Sequence, residues 1–290
     1  MAILSHLTNR LYHYGLLMRL NRPIGTLLLL WPTLMALWLA SDGHPTPSVV
    51  CIFTGGVIVM RAAGCVINDV ADRDFDGHVK RTHTRPLVAG TVTAFEALIL
   101  FFLLLLLALA LVCFTNKETI WLSAGAVLLA LMYPFMKRYT YFPQVVLGAA
   151  FGFAIPMAFS ACGKPLVIDG WLLYAATLLW AVAYDTLYAM VDKEDDLTIG
   201  VKSTAIAFGR YDSLMVWICH ISMLSLLVVL GYQSARGVYF FLGIAVALVL
   251  ACYQQWLIRN RETAAFFQAF LNNQWLGFAL FAGTFGDFWF

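Results

Sequence analysis

Long apolar runs without charge alternate along the chain with short polar segments. A membrane-spanning helix needs about 20 mainly apolar residues, and nine charge-free runs approach that length. They cover residues 23–41, 43–60, 97–116, 119–136, 139–163, 170–184, 213–235, 237–258 and 263–286. Helical patterning continues past Arg61 to about Asn68 and past Asp185 to about Asp192, so we expect the second and sixth helices to extend that far. The pattern predicts an all-α integral membrane protein with nine transmembrane helices.

The N-terminal segment differs from these runs. Residues 1–20 have a weak amphipathic pattern and no long apolar core followed by a cleavage site. This favours a cytoplasmic surface helix over a signal peptide, with the first spanning helix acting as the insertion signal. We interpret residues 1–290 as a single transmembrane domain.

Composition excludes an ordinary soluble domain. The chain is 62% hydrophobic and 12% charged, whereas a soluble domain has about 25% charged residues. A net charge of +2, without a basic patch, gives no indication of nucleic-acid binding. The cysteines lie in or beside apolar runs without C-x-x-C spacing, which is typical of packing residues. No obligate protein partner is evident.

Lysine and arginine are concentrated on one side of the predicted bundle. The loops on the opposite side carry only Lys117, Lys164 and Arg236. Because short cytoplasmic loops are enriched in these residues, we expect the N-terminus and the loops after the even-numbered helices to be cytoplasmic. An odd number of helices then places Phe290 on the other side.

Two short segments hold nine of the 16 acidic residues, each at the cytoplasmic end of a spanning helix. Residues three, four or seven apart share a helix face. The first segment therefore projects Asn68, Asp69, Asp72 and Asp76 together, and the second projects Asp185, Tyr188, Asp192 and Asp196. Asp74, Lys193 and Asp195 point elsewhere. Solvation of the helix ends is an alternative explanation, but it does not account for the repeated spacing.

Several carboxylates on one face need a compensating cation. Carboxylate and amide oxygens suit Mg²⁺, which takes one or two carboxylates and fills its other positions with water and phosphate oxygens. Both segments are followed by glycine and then by basic residues, which suggests a duplicated four-helix unit plus one further helix. Candidate ligands of a phosphate or of an acceptor carboxylate are Lys80, Arg81, Arg85, Lys137, Arg138 and Lys202. Lys137 and Arg138 are equally explained as topology anchors.

Sequence motifs connect the chain to a known family. The pattern N-D-x-x-D-x-x-x-D at residues 68–76, together with Y-A-x-x-D-x-x-x-D at residues 188–196, resembles the UbiA superfamily of intramembrane prenyltransferases. The similarity includes R-P-I-G at residues 22–25, R-A-A-G-C at residues 61–65 and Y-P-F-M-K-R-Y at residues 133–139. It extends over nearly the whole chain.

The resemblance implies helices around a central cavity in the bacterial inner membrane. It implies transfer of a polyprenyl chain from its diphosphate to the 3-position of 4-hydroxybenzoate in ubiquinone biosynthesis. Asn68, Asp72 and Asp76 would hold one Mg²⁺, and Asp192 and Asp196 another. Tyr188 and Arg138 would contact substrate, with Arg138 also contributing to catalysis.

Three questions stay open at this point. Asp69 or Asp192 would accept the proton released in the reaction, and the residues alone do not decide between them. A sister prenyltransferase with homogentisate or haem as the acceptor is an alternative. An ion-coupled secondary transporter also has intramembrane acids and internal repeats, although its acids typically lie near the bilayer midplane.

Overall fold

The chain folds into a bundle of helices. The computed structural model describes residues 2–79 and 81–290, without the side chains of residues 2–7 and of Phe75. The helices are α1 (Ala2–Leu17), α2 (Ile24–Ala40), α3 (Pro47–Asp76), α4 (Ala94–Val112), α5 (Lys117–Tyr139), α6 (Pro143–Gly152), α7 (Ala154–Ala161), α8 (Ile168–Ile199), α9 (Thr204–Phe208), α10 (Asp212–Gln233), α11 (Val238–Ile258) and α12 (Thr263–Trp289). The described residues contain no β-strand.

Seven stretches of the described residues are helical, long and apolar enough to cross a membrane. They are α3, α4, α5, the α6–α7 pair, α8, the stretch Thr204–Gln233 and α11. Many of their large apolar side chains face outward, as expected for contact with lipid. The protein is therefore a multi-pass membrane protein, as its composition predicts.

The predicted count of nine spans is not confirmed. The first and ninth apolar runs form α2 and α12, which are not among the seven candidate spans. Helix α2 has only 17 residues. Helix α12 is long enough, but it carries the amide side chains of Gln268, Asn272, Asn273 and Gln274. Asn273 is fully buried, so these amides include one that faces protein rather than lipid.

The fifth apolar run forms two short helices rather than one. Helix α5 continues to Tyr139, and α6 begins at Pro143 after a short non-helical link. The α6–α7 break at Phe153 lies three residues before Pro156. Proline has no amide hydrogen, and its ring clashes with the carbonyl four residues earlier, which explains the break.

Helices α3 and α8 are the longest, and they carry the two acidic segments at their C-terminal ends. Helix α3 continues past the predicted end at about Asn68 to Asp76, directly before Gly77. Helix α8 continues past the predicted end at Asp192 to Ile199, and Gly200 ends it with φ +73°. The left-handed conformation favours glycine at this position. We call the side of the bundle where α3 and α8 end the acidic side.

The N-terminal helix is attached to the bundle on the acidic side. Leu17 is fully buried in a small apolar cluster with residues of α3 and α4. Arg10 forms an ion pair of 2.5 Å with Glu96 at the start of α4. Glu96 also completes a capping box with Thr93. These contacts hold the end of α1 beside the acidic segment of α3.

Candidate active site

The first acidic segment buries three carboxylates in the last turns of α3. Asp69, Asp72 and Asp76 are only 1%, 3% and 6% exposed. Buried charges of one sign are costly unless cations and hydrogen bonds compensate them. Asp74 points outward instead, with 78% of its side chain exposed. The shared face predicted from the spacing is therefore present.

Each of these buried carboxylates pairs with a cation from another segment. Arg19 lies 2.7 Å from Asp69. Arg85 bridges Asp69 at 3.1 Å and Asp76 at 2.5 Å. Lys137 Nζ lies 2.5 Å from Asp72. Burial by itself lowers the pKa of the Arg85 guanidinium, but the adjacent Asp69 and Asp76 raise it further, so the net pKa is above its usual value.

Local folding explains how these cations reach the acidic segment. The Thr82 hydroxyl donates to the carbonyl of Asp76 at 2.8 Å and turns the basic loop back onto the end of α3. The Arg85 amide then donates to the Thr82 carbonyl. Arg19 has φ +58° in the turn after α1, a conformation that non-glycine residues adopt at some cost. That turn directs its guanidinium toward Asp69.

The second acidic segment has one tightly paired carboxylate. Asp192 accepts from Arg81 Nε at 3.0 and 3.2 Å and also from Arg81 Nη2. The Arg81 guanidinium lies 4.4 Å from the centre of the Tyr188 ring. Lys193 points away from Asp192 and pairs with the fully buried Asp212 at 2.8 Å, as its predicted position implies.

A cavity of about 150 Å³ joins the two acidic segments. The five proposed metal ligands all line it, namely Asn68, Asp72, Asp76, Asp192 and Asp196. The proposed phosphate or acceptor ligands Arg81, Arg85, Lys137, Tyr188 and Lys202 line it as well. A hydrogen bond of 3.0 Å from the Lys202 amide to the Lys137 carbonyl connects the segment after α8 to the end of α5. The structure thus brings both predicted sets together.

Two of the predicted residues do not line this smaller cavity, and a third is not described. Asp69 lines a larger cavity that adjoins the first. Arg138 lines neither cavity, and its guanidinium donates to the carbonyl of Ala71 at 2.6 Å. That contact connects α5 to α3, and it makes Lys137 the better candidate for contact with substrate. Lys80 lies outside the described residues.

The donor set fits a divalent cation shared with a ligand. Asp69 Oδ2 and Asp72 Oδ1 are buried without a hydrogen-bond partner in the described structure, and a buried carboxylate oxygen of this kind favours a nearby cation. No group of three or more His, Cys, Asp and Glu side chains in that part of the chain is arranged to hold a metal alone. Mg²⁺ does not need such a cage, because it commonly combines one or two carboxylates with water and phosphate oxygens.

The larger cavity has a volume of about 1700 Å³. Its polar end includes Asn68, Asp69, Arg81 and Asp192. Its walls are mainly apolar and come from α2, α3, α4, α5, α6, α7, α8 and α12. A charged end continuing into an apolar chamber suits a ligand with an anionic head and a hydrophobic tail.

Sequence reasoning did not assign a site role to four polar residues that line these cavities, namely Arg19, Arg61, Gln144 and Asp185. Arg61 lies inside an otherwise apolar helix, which is itself a signal of function in a membrane protein. Its guanidinium lies against Gly25, where the Cβ atom of any larger residue would collide with it. Neither Arg61 nor Asp185 has an ion-pair partner within 4.0 Å among the described side chains.

The fold and site define a multi-pass membrane protein in which a small charged cavity adjoins a large apolar chamber. Comparison of the sequence with family models assigns it more closely. The chain belongs to the UbiA prenyltransferase family, whose model matches residues 29–280. The predicted resemblance to this family is confirmed, and membership excludes the transporter interpretation.

Relatives of known name match over nearly the full length. A protein of Tolumonas auensis called 4-hydroxybenzoate octaprenyltransferase is 57% identical over 270 residues, covering 93% of this chain and 94% of that protein. A protein of the same name from Salmonella paratyphi B is 53% identical over 281 residues, covering 97% of each chain.

Solved structures show the same fold at lower identity. A UbiA homologue from Aeropyrum pernix without ligand has a TM-score of 0.80 and 24% identity, covering 90% of this chain and 97% of that one. A UbiA homologue from Archaeoglobus fulgidus bound to GPP and Mg²⁺ has a TM-score of 0.71 and 19% identity, covering 93% of this chain and 99% of that one.

Proposed function

We propose that the protein transfers a polyprenyl chain from its diphosphate to the 3-position of 4-hydroxybenzoate, releasing diphosphate, in ubiquinone biosynthesis. The observation that carries this proposal is the meeting of both acidic segments at one small cavity that adjoins a large apolar chamber. The names of relatives at 53% and 57% identity support 4-hydroxybenzoate over homogentisate or haem as the acceptor.

The smaller cavity would hold the diphosphate. Arg81, Arg85, Lys137 and Lys202 provide cations at its wall, and guanidinium groups match phosphate oxygens in paired hydrogen bonds. Asn68, Asp72 and Asp76 would hold one Mg²⁺, and Asp192 and Asp196 a second. When bound, the metal ions would neutralise charge on the leaving diphosphate. The GPP and Mg²⁺ complex of the Archaeoglobus homologue supports this assignment.

Arg61 is our candidate ligand for the acceptor carboxylate. It lines the apolar chamber and has no carboxylate of the protein within ion-pair distance among the described residues. Tyr133 and Tyr184 line the same part of the chamber. A guanidinium in a chamber that tyrosines also line suits a benzoate, because the carboxylate would pair with the cation while the ring packs against the tyrosines.

The chain's own residues would stabilise both fragments formed when the allylic C–O bond breaks. Arg81, Arg85 and Lys137 face the negative charge that develops on the diphosphate. The allylic cation would form in an apolar chamber that excludes competing water. Attack by the electron-rich ring carbon beside the phenol then forms the new C–C bond, and the ring loses a proton.

Asp185 is the best-placed acceptor for that proton. Asp69 pairs with Arg19 and Arg85, and Asp192 pairs with Arg81. A carboxylate held by guanidinium groups is a weak base. Asp185 lines both cavities and has no such partner in the described structure. The sequence prediction of Asp69 or Asp192 as the base therefore has less support than Asp185.

We also propose that the protein lies in the bacterial inner membrane, with the N-terminus and the acidic side in the cytoplasm and Phe290 in the periplasm. The basic residues near the acidic side support this orientation through the positive-inside rule. A cytoplasmic active site would also give 4-hydroxybenzoate direct access from the aqueous phase.

Product formation by the purified protein tests the proposed function. The protein is reconstituted in liposomes with Mg²⁺, ring-labelled 4-hydroxybenzoate and octaprenyl diphosphate, with homogentisate as a parallel acceptor. We expect 3-octaprenyl-4-hydroxybenzoate and one released diphosphate per product. Diphosphate release without ring prenylation, or preference for homogentisate, contradicts the proposal. An Asp72→Ala protein prepared in the same way is the control.

A further inference from the structure

The large cavity follows one face of α3 away from the acidic side. Ile52, Gly56, Met60, Gly64 and Asn68 recur every four residues on this face, and all line the cavity. At a rise of about 1.5 Å per residue, Gly64 lies about 6 Å from Asn68 along the helix and Gly56 about 18 Å. The two glycines therefore occupy different depths of one chamber.

Both glycines leave open space at the chamber wall. A Cβ atom added at Gly56 or at Gly64 would have no neighbouring atom within 4 Å. Glycine in the middle of a helix is less favourable than alanine by about 1 kcal/mol. No close packing at either position explains this cost. The missing side chain instead keeps the chamber open in front of each glycine.

The adjacent Gly55 shows a different environment at the same depth. Its added Cβ would contact Leu111 of α4 at 3.4 Å, and Gly55 does not line the cavity. Leu111 does line it, so α4 forms the adjoining wall at this level of α3. Trp121 of α5 also lines the cavity and is 80% exposed. Beyond Gly56, the chamber thus reaches the lipid-facing surface.

We propose that Gly56 determines the longest prenyl donor that the protein accepts, an inference that rests on the proposed prenyl transfer. A tail whose diphosphate lies beside Asn68 runs along α3, passes Gly64 first and Gly56 later, and continues toward the surface near Trp121. A short tail ends before Gly56. A long tail has to pass it, so a bulky side chain at position 56 obstructs only long donors.

Kinetics with two donors test this inference. Wild type and Gly56→Phe are assayed with geranyl diphosphate and octaprenyl diphosphate at saturating 4-hydroxybenzoate. We expect kcat/KM for the octaprenyl donor to fall about tenfold to hundredfold, the usual effect of overfilling a packed space. The value for the geranyl donor should stay close to wild type. Gly56→Ala and Gly56→Leu should give smaller effects in order of size.

Two further variants serve as controls. Gly55→Ala lies one residue away, contacts α4 instead of the chamber and should leave both donors unaffected. Gly64→Phe lies close to the head-group end and should impair both donors. Equal loss of both donors in Gly56→Phe, or loss of neither, overturns the inference.

A binding readout separates this inference from the proposed function. Thermal stabilisation of the purified variants by each donor in Mg²⁺ is measured without an acceptor. Gly56→Phe should be stabilised by geranyl diphosphate and not by octaprenyl diphosphate, and stabilisation by both contradicts the inference. Absence of any ring-prenylated product in wild type would contradict the proposed function, while the binding comparison would still decide the role of Gly56.

Discussion

The two acidic segments have similar spacing but different electrostatic environments. In the segment of α3, Asp69, Asp72 and Asp76 each pair with a lysine or arginine of another part of the chain. In the segment of α8, Asp192 pairs with Arg81. Asp196 has no ion-pair partner among the described side chains, although it lines the same small cavity.

This difference indicates two roles within one site. Cations of the protein already pair with the three buried carboxylates of the α3 segment. In the α8 segment, Asp196 lies beside the cavity without an ion-pair partner among the described side chains, and such a carboxylate attracts a divalent cation. Similar motifs therefore need not contribute equally: the first is the more rigid and the second the more dependent on metal.

The largest expected effect concerns the carboxylates on the cavity face. We expect Asp72→Ala, Asp76→Ala, Asp192→Ala and Asp196→Ala each to lower kcat/KM by about a hundredfold or more, because each removes a carboxylate that would hold the Mg²⁺ ions facing the leaving diphosphate. Prenylated product is measured in membranes with equal amounts of inserted protein. Asp74→Ala is the off-face comparison and should have a milder effect, whereas Asp195, predicted to point elsewhere, lines the larger cavity and is no matched control. Equal losses on and off the face would contradict the shared-face arrangement.

A smaller effect distinguishes two adjacent cations of α5. Lys137 reaches Asp72 and the cavity, whereas Arg138 contacts the carbonyl of Ala71. We expect Lys137→Ala to lower kcat/KM about tenfold to hundredfold, since hydrogen bonds to charged groups contribute about 1.5 to 3 kcal/mol. The loss for Arg138→Ala should be smaller, and Lys117→Ala on the other side of the bundle should behave as wild type. A larger loss for Arg138→Ala than for Lys137→Ala reverses this assignment.

Asp212, which lies outside both cavities, should affect the stability of the protein more than its turnover. Asp212 is fully buried and pairs with Lys193 and Arg261, each at 2.8 Å. Asp212→Asn keeps the size but removes the charge, so we expect unfolding in detergent to become easier by about 1 to 3 kcal/mol. The kcat of the protein that remains folded should be close to wild type. A specific loss of kcat with unchanged thermal stability would place Asp212 in the catalytic machinery instead.

Topology labelling does not depend on activity, and it tests whether both acidic segments lie on one side of the membrane. In a cysteine-free background, Thr84→Cys and Thr198→Cys follow the first and second segments and are exposed. A membrane-impermeant maleimide should label both only from the cytoplasmic side, and a reporter fused after Phe290 should be periplasmic. Labelling of the two cysteines from opposite sides contradicts a shared site.

Much of this arrangement follows from local sequence. Charge-free runs of sufficient length identify membrane helices, and the four-residue spacing of Asn68, Asp72 and Asp76 identifies a common face. Gly77 directly follows α3 and Gly200 ends α8, although both helices continue past the ends predicted at about Asn68 and Asp192. The count of nine spans is not confirmed at α2, which is short, or at α12, where amide side chains such as that of the buried Asn273 make the helix less apolar.

Contacts between distant segments did not follow from sequence. Arg19 pairs with a residue 50 positions away, and Arg81 with one 111 positions away. Helical periodicity describes neither contact, because both depend on how the loops fold over the helix ends. The sequence also did not predict which of Lys137 and Arg138 lines the cavity. Adjacent residues differ by about 100° around a helix, and the direction of the cavity does not follow from the sequence.

Binding of a donor to the purified protein tests most directly the central claim that both acidic segments act on one diphosphate. Affinity for geranyl diphosphate is measured calorimetrically with Mg²⁺ and with EDTA, in wild type, Asp72→Asn and Asp196→Asn. We predict that wild type binds the donor only with Mg²⁺ and that either substitution alone weakens binding. Asp196→Asn should need the greater increase in Mg²⁺ concentration to restore the wild-type affinity. Unchanged affinity in either variant, or equal wild-type affinity in EDTA, would contradict a site shared between α3 and α8.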